Sequence, residues 1–336
     1  MVIIISMLIL ESCLRSITVG VDTRGYFYDY EEMKYFSWQN IWSSFSNAYL
    51  LGEGRDPGFL VYMKLIQSIS YNFNVFLFFS ALIFFIPLGI ILFRYSTHIY
   101  QLLFAFTLYV ALFNIVALSG IRQQVAMGFS FMSFLLLCKR KYVKSALMIL
   151  IGSFIHISLL LFLIVIIIKL LFEKYLKNIH LLSFATIPLG FLWAGPIMLF
   201  FASFLSNDYY SLYGTKESAG GAILYIVLVE LLSLFCYISI KKQSIVGYGN
   251  IKFLYPMLPL LTMTAPLTSL DGSMIRIGQY FTFYLMLLVP YAIDEIINVK
   301  IDRRLLYYSS VAFLISIDYI SNNGFTYHFY WQEAQI

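Results

Sequence analysis

The sequence predicts an all-α, polytopic integral membrane protein, with about 10–12 transmembrane helices and additional interfacial or re-entrant helices. Three observations carry this. The 336-residue chain is 61% hydrophobic and only 12% charged, whereas a soluble domain carries roughly 25% charged residues. Apolar runs recur at close to the ~20 residues a helix needs to span hydrocarbon. The Lys and Arg residues gather in short clusters between those runs, as orientation signals do. We expect one transmembrane domain over residues 1–336 and no separate globular module.

The first run, Val2–Leu14, is short. It has no basic start, and Glu11 interrupts it, so it reads as a first span and not as a cleaved signal. Residues 15–72 form the longest polar stretch, rich in Tyr, Phe and Trp. That mix predicts interfacial helices. Pro57 is suited to open one of them, with Asp56 before it as the cap. The helix Gly58–Ile69 would then be interfacial or re-entrant. Further runs follow at Phe73–Phe93, Ile99–Leu118, Ile121–Cys138, Val143–Ile155, Ile157–Leu171, Leu181–Leu205, Gly221–Ile240, Phe253–Thr268, Met274–Ile297 and Leu305–Ile320.

Parity orients them. Placing Arg94/His98, Lys139–Lys144, Lys241–Lys252 and Lys300–Arg304 inside satisfies the positive-inside bias. Two spans, Leu181–Leu205 and Gly221–Ile240, lie between the second and third clusters. Val143–Leu171 must therefore cross twice or not at all, and a hairpin turning near His156 meets that condition. Arg15, Asp22, Arg24, Arg55, Asp56, Arg122, His156, the 206–220 loop, Asp271 and Arg276 then share the outer face. Arginines outside run against the topology bias, and several together point to a bound anion.

The candidate chemistry follows from residue type. A guanidinium offers a planar fork of donors suited to phosphate oxygens. Arg122, followed by Gln123 and Gln124, opens one span, and Arg276 opens another. The bland alternatives are a snorkelling Arg122, an Arg276–Asp271 ion pair, and pairing of Arg15 with Glu11 four residues earlier. His156 lies between Ser153 and Ser158 in an apolar run. It is either a hydrogen-bonded packing residue or a proton acceptor or phosphate ligand. Asp22 and Asp56 are candidate general bases, or else solvated carboxylates. No His or Cys spacing suits a metal, and no Gly-rich fingerprint suits a nucleotide. Cys13, Cys138 and Cys236 lie far apart and read as buried thiols. The net charge of +5 is spread over loops, without the aromatic interleaving of a nucleic-acid surface.

The same residues carry a family resemblance. Arg15…Val19-Gly20-x-Asp22-x-x-x-Tyr26, Asp56-Pro57-Gly58-Phe59, Arg122-Gln123-x-x-Ala126, Phe154-x-His156-x-Ser158 and Arg276-x-x-x-Tyr280-Phe281 occur in that order over residues 15–285. Together they resemble the EpsG family, which belongs with Wzy-type O-antigen and polysaccharide polymerases. Where that family often has Glu before Pro-Gly, this chain has Asp56.

The resemblance implies a multi-pass protein of the bacterial inner membrane, similar to other membrane-embedded glycosyltransferases acting on lipid-linked sugars. It implies polymerisation of undecaprenyl-diphosphate-linked oligosaccharide repeat units at the periplasmic face, without a metal or cofactor and with inversion at the anomeric carbon. Residues 15–72 and 206–220 become periplasmic loops. His156 and Asp22 are the expected catalytic residues. Arg15, Arg55, Asp56, Arg122, Gln123, Arg276 and Tyr280 are expected to bind diphosphate or sugar. Partners would be the lipid-linked oligosaccharide, membrane lipids and a chain-length regulator, with no nucleic acid. A lipid-linked oligosaccharide flippase is the competing class. Transporters tend to show paired halves with matched broken helices, and no such pairing is evident.

Overall fold

Hydrocarbon offers no partner to a bare N–H or C=O, so a chain this apolar must satisfy its backbone internally. It does so with helices. A computed structural model describes residues 1–171, 182–205, 221–240, 249–270, 272–296, 303–321 and 326–332. Among these residues there are fifteen α-helices, several short 3₁₀ turns and a single isolated β-bridge. Among the described residues three helices are long and apolar enough to cross a membrane: α5 (Phe73–Tyr95), α6 (Ile99–Ser119) and α7 (Ile121–Cys138). Shorter apolar helices accompany them, including α1 (Val2–Leu14) and α8 (Tyr142–Ile155). The described residues are all-α, and their apolar helices are those of a membrane protein. The expected 206–220 loop and Asp271 lie outside the described residues.

The chain divides into two compact units. The first comprises Met1–Phe93, Asn114–Leu163 and Gly324–Ile336. Its polar segment does form helices, and two of them are docked. Helix α2 (Thr23–Glu32) and helix α4 (Pro57–Gln67) bury Tyr26, Tyr30, Phe59 and Met63 against Phe73, Phe76, Ile121 and Val125. Tyr30 stacks on Phe76 at 4.9 Å and donates to the carbonyl of Ser70 at 2.6 Å. Gln67 Nε2 donates to the Tyr30 carbonyl at 2.7 Å, and Lys64 Nζ to that of Met33 at 2.7 Å. Helix α3 (Trp38–Ser46) differs. It buries Ile41 alone and leaves Trp38 and Trp42 exposed.

Helices α5 and α7 pack closely because Gly128 removes a side chain at their crossing. A Cβ there would lie 2.4 Å from the Ile83 carbonyl oxygen. Close backbone approach over small residues is how membrane helices gain packing energy. Gly128→Ala should therefore destabilise the protein by about 1–3 kcal/mol, the usual range for overpacking. Thermal unfolding in detergent checks this, and an unchanged midpoint would refute the close crossing.

The run after α7 breaks at His156. His156 is extended (φ −153°, ψ 112°) and ends α8. A 3₁₀ turn, Ile157–Phe162, follows and leads into α9 (Leu163–Leu171). That turn packs back on α8, where Leu159 fills the space beside Gly152. Residues 326–332 return to the end of α1. Ser16 N donates to the His328 carbonyl and Tyr330 N to that of Leu14, both at 2.8 Å, and Arg15 bridges to Phe329.

The second unit comprises Arg94–Phe113 and Ile164–Asn323. It contains α10 (Ser183–Leu205), α11 (Gly221–Ile240), α12 (Leu258–Thr264), α13 (Ile275–Thr282), α14 (Leu285–Ile296) and α15 (Arg303–Ser321). Two of the expected continuous spans are interrupted. Over Phe253–Thr268, Pro256, Pro259 and Pro266 cannot donate to the helical ladder, and 3₁₀ turns flank the short α12. The run Met274–Ile297 divides at Phe283–Tyr284 into α13 and α14. A polar knot joins α6, α14 and α15. Gln101 Nε2 donates to Asp294 at 2.5 Å, and the Tyr307 hydroxyl donates to Asp294 at 3.2 Å and to the Pro290 carbonyl at 2.7 Å.

Candidate functional site

The site is built around Asp56. Its backbone lies in the left-handed region (φ 50°, ψ 54°), a conformation that non-glycine residues seldom adopt. Proline at 57 opens α4 as expected, but Asp56 does not cap it with its side chain. The left-handed turn carries the carboxylate elsewhere, which corrects the capping expectation. Oδ2 accepts from Arg122 Nη1 at 3.0 Å and meets His156 Nδ1 at 3.2 Å, while Oδ1 accepts from Ile157 N at 3.0 Å. Three separated parts of the sequence thus converge on one carboxylate.

Each part is held for a local reason. Gly58 lets the start of α4 press on α8, because a Cβ there would lie 2.6 Å from the backbone and side chain of Phe154. Arg122 stands in the first turn of α7, its guanidinium 4.9 Å from the Phe59 ring and 5.9 Å from that of Tyr26. Those ring faces favour a cation. The break after α8 swings His156 away from the helix axis and frees Ile157 N to reach Asp56.

Burial separates the roles. The Asp56 side chain is 1% exposed, while those of Arg122 and His156 are 13% and 18% exposed. Burial opposes ionisation of Asp56. The charges of His156 and Arg122 and the hydrogen bonds from His156 and Ile157 outweigh it and hold the carboxyl at about 2, below its usual 3.8. An ionised carboxylate only accepts hydrogen bonds, so the His156 nitrogen facing it carries a proton. In the neutral imidazole Nε2 is then the nitrogen with a lone pair, and in the imidazolium both nitrogens carry protons. The arrangement presents a proton acceptor and a guanidinium side by side, both backed by one buried negative charge.

The other expected site residues are distributed as follows. Arg55 is exposed beside Asp56. Gln123 is buried in α7, next to Arg122. Arg15 is buried at the end of α1, where its Nη1 donates to the carbonyl and hydroxyl of Ser12. Glu11, considered as its partner, accepts from Asn114 Nδ2 at 3.1 Å. Asp22 is half-buried at the start of α2. Arg276, half-buried, and Tyr280, buried, lie on α13 in the second unit.

Sequence reasoning missed Asp29, and Tyr26 and Phe59 entered it only as motif positions without a role. The Asp29 carboxyl is raised by loss of solvent, against the opposing pull of Arg122 and Arg55, so it lies within their field. It is exposed on α2, seven residues beyond Asp22, and no spacing in the sequence marked it. Among the described residues no group of three or more His, Cys, Asp or Glu side chains could hold a metal.

No curated protein and no solved structure matches this sequence. A family model does, and it covers residues 1–331, the region holding every motif quoted above. With a match over essentially its whole length, the chain belongs to the EpsG family, a family of Wzy-like polymerases.

Proposed function

We propose that this protein lengthens a polysaccharide by joining undecaprenyl-diphosphate-linked repeat units at the periplasmic face of the bacterial inner membrane. The observation that carries the reading is Asp56, which holds Arg122 and His156 together at one partly open position. Family membership supports a polysaccharide polymerase, and the arrangement suits glycosyl transfer. The acceptor sugar hydroxyl loses its proton to His156 Nε2. Its oxygen forms a bond to the donor's anomeric carbon, and the bond from that carbon to the diphosphate breaks. The electron pair leaves with the diphosphate, whose growing charge Arg122 stabilises. A single displacement inverts the anomeric centre. Asp56 does not touch substrate here; it orients the imidazole and balances the charge it acquires. Arg276 is a second candidate for the diphosphate, and Asp22 a second candidate for the base.

The test is reconstitution. Purified protein in lipid nanodiscs receives lipid-diphosphate repeat unit from cells that lack the polymerase, in buffer with EDTA. The expected product is a ladder of longer glycans. If the repeat unit stays single in nanodiscs but crosses the bilayer of proteoliposomes, the flippase reading replaces this one.

A further inference from the structure

Four rings form a row that ends on Phe154, two residues before His156. Trp42 and Phe45 have centroids 5.5 Å apart, and Phe45 and Tyr49 6.2 Å apart. Phe45 and Tyr49 each lie 6.1 Å from Phe154. The spacing follows from the helix, since side chains three and four residues apart share a face. Phe154 comes from α8, two residues before His156. The rings are not core. Trp42, Tyr49 and Phe154 are 59%, 49% and 46% exposed.

The row is continuous with the Asp56 centre. Gly58, two residues after Asp56, packs directly on Phe154. Burial raises the Tyr49 phenol, and the negative charge of Asp56 adds to the effect, so the two groups share a field. The segment itself is neutral. Residues 35–52 contain no charged side chain, and Gln39, Ser43, Ser46 and Asn47 within it are exposed. A segment built to grip anionic lipid headgroups carries Lys or Arg. Flat apolar faces bordered by uncharged hydrogen-bonding groups suit instead a chain of sugar rings, apolar on their faces and hydroxylated at their edges.

We propose that Trp42, Phe45, Tyr49 and Phe154 form a track on which successive sugars of the glycan stack as they approach His156. The proposal rests on the polymerase reading and adds to it a binding subsite and its ligand class, a hydroxyl-rich oligosaccharide.

Binding can be read apart from catalysis. Trp38, Trp193 and Trp331 are replaced by Phe, so that Trp42 alone reports, and the full chain is placed in nanodiscs. The probe is the repeat-unit oligosaccharide released from its lipid by mild acid. We expect a saturable change in Trp42 emission, retained when His156→Ala is added. It should be about tenfold weaker with Tyr49→Ala, a loss on the scale of one aromatic stacking contact. Leu50 and Leu51 are exposed beside the row, so a second arm uses lipids brominated near the headgroup. Strong bromine quenching with no response to glycan would overturn the track and make this segment a bilayer anchor. Polymer formation by wild type without glycan-dependent emission would also overturn it. Glycan-dependent emission without polymer would sustain the track and sink the catalytic reading.

Discussion

His156→Ala should lower chain extension by about a hundredfold to ten-thousandfold, the usual contribution of a positioned acid–base group. Protein abundance and glycan binding should be unchanged. The ring is partly exposed and its contact with Asp56 is polar, so truncation opens no cavity in the hydrophobic core. His156→Gln separates two roles, since glutamine keeps a hydrogen bond but takes no proton at neutral pH. Loss in both variants is the expected result. Full activity in His156→Gln would leave a neutral donor role and move the base to Asp22 or Asp29. Full activity in His156→Ala would remove histidine from the mechanism. The measurement is the initial rate of ladder formation from purified lipid-linked repeat unit.

Asp56→Asn should have the second largest effect, on both activity and stability. An amide can still accept from Ile157 N, but it leaves the Arg122 charge unbalanced in a largely buried place. Breaking a buried pair in this way costs about 3–5 kcal/mol. The pH dependence has a definite sign. Because the folded carboxyl sits at about 2, below 3.8, the stability it contributes is fully present above pH 3.8. That stability, about 2 kcal/mol, is lost as the pH falls through about 2. Wild type should therefore lose thermal stability across that acid window, and Asp56→Asn should lack that limb. Ladder formation by Asp56→Asn should fall by about a hundredfold or more, since a misoriented imidazole is a poor base. Coincident acid limbs in the two proteins would show that Asp56 is not the group held low.

Much of this site was legible as a list of residues but not as a geometry. Arg122 and His156 could be assigned to one face because the basic knot Lys139–Lys144 fixed the parity between them. Asp56 was visible as the residue before Pro-Gly, and the regular capping rule then misplaced its side chain. No local pattern announces where the left-handed Asp56 sends its carboxylate, because its partners lie 66 and 100 residues away. Arg15 was legible as an unusual arginine, yet its bonds to Ser12 within the same helix turn were not. In the second unit, Pro256, Pro259 and Pro266 stood in the sequence as breakers. The apolar length of Phe253–Thr268 nevertheless read as a plain span, since hydropathy records burial and not the continuity of the hydrogen-bond ladder. Helices α2 and α4 were read as lying at the interface. Their docking against α5 and α7 depends on aromatic faces that composition alone does not orient.

The return of residues 326–332 to the end of α1 bears on how the protein is made. The Tyr327 hydroxyl bonds to the Glu11 carbonyl across 316 positions of sequence. A chain emerging vectorially from the ribosome has made α1 long before that partner exists. Helix α1 must therefore wait through the synthesis of the residues between before its end is tied down. Such long-range closure is slow, because the loop must be formed before the contact rewards it. The unit housing Asp56 thus closes only after residues 326–332 have been made.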